Sequence, residues 1–89
     1  MRAVITVIGK DTVGILARVS AKCAHSNVNI NEVTQSVLED IFCMIMLADI
    51  SDMNKSFGDF SDEMQQLGED MGISVHVMHE TIFNSMHRI

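Results

Sequence analysis

The residues whose types and spacing suit chemistry fall in one stretch, Gly9-Lys10-Asp11-Thr12-Val13-Gly14-Ile15-Leu16, and the chemistry they suit is anion binding. Glycine has no Cβ, so Gly9 and Gly14 let the backbone approach a small ligand. Behind them Leu16, Val19, Cys23 and Ala24 recur at helical spacing, so the stretch ends where a helix begins. The first N–H groups of a helix lack partners and carry partial positive charge suited to a carboxylate or phosphate. The spacing from Gly9 to Gly14 starts like a nucleotide-binding loop but continues Ile15-Leu16 where that loop needs Lys and then Ser or Thr, which excludes the nucleotide reading. Lys10 then reads as a solvated lysine, and Asp11 or Thr12 as the N-cap of the helix.

Other reactive types are present but not grouped. His76 and His79 are three apart on an expected strand and point to opposite faces, so they do not share a metal without a bulge or a second chain. His25 and His87 read as surface histidines. Cys23 and Cys43 form no CxxC pattern, lack a third soft ligand, and read as buried free thiols of a reducing compartment. No Ser or Cys can be paired with a His base, so no catalytic residue is assigned.

The elements that position the stretch are legible from periodicity. Residues 2–8 are β-branched and apolar on both faces, as is a second segment, 41–48; both read as central strands. Residues 28–38 mix Ile30, Val33 and Val37 with polar residues, and with Asn27 just before them their start has three Asn in five positions, which suits an edge strand or a wet interface. Phe57, Phe60, Met64, Leu67 and Met71 mark an amphipathic helix capped by Ser56 and ended by Gly72. Residues 73–79 alternate as a fourth strand, and Ile82, Phe83, Met86 and Ile89 predict a short helical tail over 80–89. The order βαββαβ predicts an α+β, ferredoxin-like fold: a four-stranded antiparallel sheet with two helices on one face. Two helices cover only one face of such a sheet, so the apolar second face predicts at least a homodimer.

Composition sets the remaining bounds. At 89 residues the chain is one domain, able to bury roughly 60% of its unfolded surface. With no Trp or Tyr, its core is aliphatic plus Met. A net charge of −6 with six scattered basic residues argues against a nucleic-acid partner, and the stacking aromatics and basic face of an RNA-binding sheet are lacking. No apolar run is long enough to span a bilayer and no signal-peptide order is present, so no membrane partner and a cytoplasmic location are expected.

The order of elements, with D-x-x-G-I-L at Asp11, Gly14, Ile15 and Leu16 and V-N-I at Val28, Asn29 and Ile30, resembles an ACT domain over residues 3–79. The likeness is greatest to small stand-alone prokaryotic ACT proteins of unassigned role and to the halves of the glycine cleavage transcriptional repressor. Many ACT domains carry Pro before the turn glycine, where this chain has Val13, so ligand identity does not carry over. The resemblance implies a regulatory module, not an enzyme and without a cofactor. It implies an amino acid or similar carboxylate held between two domains, with Asp11, Gly14, Ile15 and Leu16 of one and Asn29 and Ile30 of another at the matching positions. The anion-binding reading of the loop adds Gly9, Lys10, Thr12 and Val13 to the expected site. A regulated protein partner would receive the signal. Two alternatives share the fold: an acylphosphatase-like hydrolase, for which Arg18 is the nearest arginine to the loop, and an interaction module without a ligand.

Overall fold

The computed structural model describes residues 1–10 and 13–86. Its elements follow the expected order: β1 (Arg2–Lys10), α1 (Ile15–His25), β2 (Asn29–Leu38), β3 (Ile41–Asp49), α2 (Phe57–Met71), β4 (Ser74–His79) and α3 (Glu80–Met86). The four strands form one antiparallel sheet in the order β2-β3-β1-β4, which places the two most apolar strands at its centre and polar β2 at an edge. Ile5 lies across from Met46 on one side and Val77 on the other. This is the ferredoxin-like arrangement with an added C-terminal helix.

Alternation along β1 sends Ala3, Ile5 and Val7 to the helix side, where all three are fully buried. They meet Phe42, Met44, Met46 and Ala48 of β3, Ile15, Val19 and Cys23 of α1, and Phe60, Met64 and Leu67 of α2 in one core. The buried stripe of α1 therefore runs through Ile15 rather than Leu16, and Ala24 is exposed, a correction to the periodicity read above. Thiol burial is corrected as well. Cys23 is in the core, but Cys43 sits half-buried on the opposite face of the sheet.

The helix ends are built from local chemistry. Ser56 caps α2 by accepting from the Asp59 N–H at 3.1 Å, and Gly72, at φ 72°, closes it in the left-handed region. Asn27, at φ 57°, makes the corresponding turn after α1. The β2–β3 hairpin turns on Glu39-Asp40, with Glu39 at φ 58°, a position where glycine is usual. Gly68, inside α2, has its reason in packing: a Cβ there would come 2.8 Å from the Ile73 carbonyl oxygen.

The outer face of the sheet is only partly covered. Arg2, whose side chain is on that face, pairs with Glu80 of α3 at 2.6 Å, and neighbouring Val4 is 3% exposed. Farther along, Ile8, Ile41 and Ile45 stay exposed.

Candidate functional site

The strand leading into the glycine-bounded stretch is longer than its sequence implied. β1 continues through Gly9 and Lys10, which pair with Phe42 and Ile41, so these two residues belong to the sheet and not to the turn. Gly9 also has a packing reason for being glycine, because Ile73 fills the space beside it. Asp11 and Thr12 lie outside the described residues. The N-cap of α1 is Gly14 rather than either of them: it stands at φ 87°, in the left-handed region, and its carbonyl accepts from the Arg18 N–H at 2.9 Å. Among the described residues no side chain caps this helix end and no acidic residue stands in its first turn, and the partial positive charge of a helix N-terminus suits an anion.

Beside that helix end is a groove of about 240 Å³ lined by Val13, Gly14, Ile15, Leu16, Ala17, Gln35 and Phe42. Four of the expected site residues, Val13, Gly14, Ile15 and Leu16, therefore share one concavity. Gln35 and Phe42 were not anticipated. Gln35 is the polar member of the helix-side series Val33, Gln35 and Val37 on β2, and that interruption is the signal by which it was readable.

Asn29 and Ile30 are at the other end of the sheet. Asn29 pairs with Asp49, as does Arg2 on the other side, whereas Lys10 and Leu38 both pair with Ile41. At about 3.3 Å per residue the two ends are roughly 27 Å apart, so one chain does not bring Asn29 to its own Gly14. Ile30 packs against the core. Asn29 borders a polar recess of about 260 Å³ with Ala24, Asn27, Val28, Asp49 and Asp52. Asn27 donates to the Asp52 carbonyl at 2.7 Å, and Asp49 accepts from the Ser51 N–H at 2.9 Å. Hydrogen bonds from the Ser51 side chain and backbone hold the Asp49 carboxyl below its ordinary range, aided by the chain's N-terminal ammonium and Arg2.

The remaining reactive groups are kept apart. His79 stacks on Phe57 with ring centroids 4.1 Å apart, while His76 is exposed on the opposite face. His87 lies outside the described residues. Among the described residues no three His, Cys, Asp or Glu side chains are grouped to hold a metal. Arg18 lines a different groove, between α1 and α2, with Lys22, His25, Glu63 and Asp70. There Lys55, 2.9 Å from Glu63, holds the Glu63 carboxyl low. No described helix is long and apolar enough to cross a membrane.

A family model described as ACT domain matches residues 2–78. A UPF0237 protein of Listeria monocytogenes is 47% identical over 89 residues, the whole of both chains. One of Methanopyrus kandleri is 46% identical over 88 residues, 99% of this chain and 98% of that one. Among solved structures, an ACT domain protein from Streptococcus pneumoniae superposes with a TM-score of 0.82 at 35% identity, covering 93% of each chain. A candidate glycine cleavage system transcriptional repressor superposes at 0.73 and 22% identity, over 86% of this chain and 44% of its own, a likeness of fold.

Proposed function

The chain belongs to the ACT domain family, and on that premise we propose that it is a regulatory module, without catalysis of its own, that binds a small amino acid or similar carboxylate between two copies of itself. Gly9, Lys10, Asp11, Thr12, Val13, Gly14, Ile15 and Leu16 of one protomer face Asn29 and Ile30 of the other. The carboxylate meets the N-terminus of α1, and the Asp11 carboxylate and Asn29 amide orient the ammonium or side chain.

One observation carries this reading: the two halves of the site lie at opposite ends of the same edge strand. β2 hydrogen-bonds β3 on one flank, and among the described residues no strand lies on the other. Such an edge invites a second strand. Two β2 strands related by a two-fold axis run antiparallel, so Asn29 and Ile30 of one protomer come alongside Val37 and Leu38 of its partner, next to the groove at Gly14. The exposed Val33 and Val37 gain cover in that pairing.

A thermal-shift screen of the standard amino acids tests the proposal. A ligand at one hundred times its dissociation constant stabilises the folded state by about 2.7 kcal/mol. Asn29→Ala should abolish the shift while leaving the unliganded protein folded. Absence of any shift at millimolar concentration, or a shift that survives Asn29→Ala, would remove the site.

A further inference from the structure

We infer that the outer face of the sheet is a second self-association surface, distinct from the β2 edge, on which another copy of this chain stacks face to face. Ile8, Leu38, Ile41 and Ile45 are respectively 51%, 72%, 45% and 44% exposed there, beside half-buried Cys43 and Leu47. The patch is continuous. Ile8 is the cross-strand neighbour of Cys43, Leu38 of Ile41, and uncharged Thr34 and Ser36 stand opposite Ile45 and Cys43. Apolar groups packed this densely on one face mark a binding surface.

Charge selects the occupant. On the four strands, the outward series carries full charge at Arg2, Lys10, Glu32 and Asp49. Arg2 is already bridged to Glu80, and Arg2 and Asp49 are register partners at the end of the sheet away from Ile8 and Ile41. The helix layer is the acidic one, with Asp59, Asp62, Glu63, Glu69 and Asp70 all on α2. Two copies of a chain with net charge −6 repel each other least through the sheet face, which is neutral at its centre. A two-fold interface sets one patch against itself, and an uncharged centre meets itself without like-charge conflict. The exposed patch lies on β1, β2 and β3, and nine-residue strands at ~3.3 Å per residue, three abreast at ~4.8 Å, span roughly 430 Å² in projection. Less the end at Arg2 and Val4 that α3 covers, this is at most about half of the ~800 Å² per partner of a standard interface, and it fits a weak, concentration-dependent contact. Stacked twisted sheets are an established packing mode at this spacing of side chains.

The test pairs a mass with a thiol. Ile45→Lys places a charge at the centre of the patch without touching the helix-side core, and Cys43 reports access because Cys23 is buried. Sedimentation should give the folded variant half the wild-type mass, and alkylation of wild-type Cys43 should slow as protein concentration rises. A wild type that is monomeric at high micromolar concentration overturns the proposal, as does a folded variant of unchanged mass. So does a Cys43 rate independent of concentration, the result expected if the chain's own terminus or a different protein covers the patch. Should Ile45→Lys fail to fold, Ile45→Thr and the wild-type Cys43 rates decide. Failure of the ligand reading would instead appear as loss of the thermal response to amino acids, with these masses and rates unchanged.

Discussion

Ile73 occupies the space where a side chain at Gly9 would stand: a Cβ on Gly9 would lie 2.8 Å from the Ile73 Cβ, closer than packed carbons approach. The residue before β4 thus locks the last part of β1, and the same Ile73 offers its carbonyl oxygen 2.8 Å from the Cβ that Gly68 lacks. Position 73 constrains two glycines on separate elements, Gly9 through its side chain and Gly68 through its backbone.

Gly9→Ala should therefore destabilise the fold by about 1–3 kcal/mol, the usual range for overpacking. Ile73→Ala in the same chain should recover part of that loss. Chemical denaturation of the four proteins of the double-mutant cycle checks this, with a coupling above about 0.5 kcal/mol expected and additivity as the contrary result.

Gly14 differs in kind, because among the described residues no atom lies within 4 Å of its missing Cβ, and its φ of 87° is what favours glycine. Gly14→Ala should cost about 1–2 kcal/mol of backbone strain, and Gly14→Asn less. Equal losses in the two variants would show that sterics, not conformation, set the position.

These two glycines show what was and was not legible in the sequence. Alternation in residues 2–8 and 41–48 and the helical stripe from Phe57 to Met71 are properties of single segments, and they located the strands, α2 and the fold. The same pattern could not separate Gly9 from Gly14, because the reason for Gly9 is a contact with a residue 64 positions away. Likewise Gln35 and Phe42 join the groove through strand pairing. That Asn29 is at the far end of the sheet from Gly14 follows from register, which no local motif encodes.

Ser26 is fully buried, and among the described residues its Oγ has no hydrogen-bond partner. Removing an unsatisfied buried hydroxyl relieves its desolvation, so Ser26→Ala should leave stability unchanged or raise it by up to about 1 kcal/mol. A fall in melting temperature would mean that the hydroxyl is satisfied in solution.

Burial pushes the Cys23 thiol up to about 11 from an ordinary 9.0. The unfolded thiol ionises first, so between those values the unfolded state binds fewer protons than the folded one and stability falls as pH rises; below that window the thiol contributes no slope. Denaturation midpoints followed through this window should decline more steeply for wild type than for Cys23→Ala. Parallel curves would contradict the assignment.

The sharing of one site by two chains is tested most directly by mixing disabled protomers. Asn29→Ala and Asp11→Ala chains, each unable to bind alone, are refolded together and titrated calorimetrically with the amino acid that gives the largest thermal shift. Random two-fold pairing makes half the dimers mixed, each with one of its two sites built from unaltered halves, so binding should return to about one quarter of the wild-type stoichiometry. No recovery on mixing, with both variants folded and dimeric, would contradict a site assembled from the first loop of one protomer and the second strand of the other.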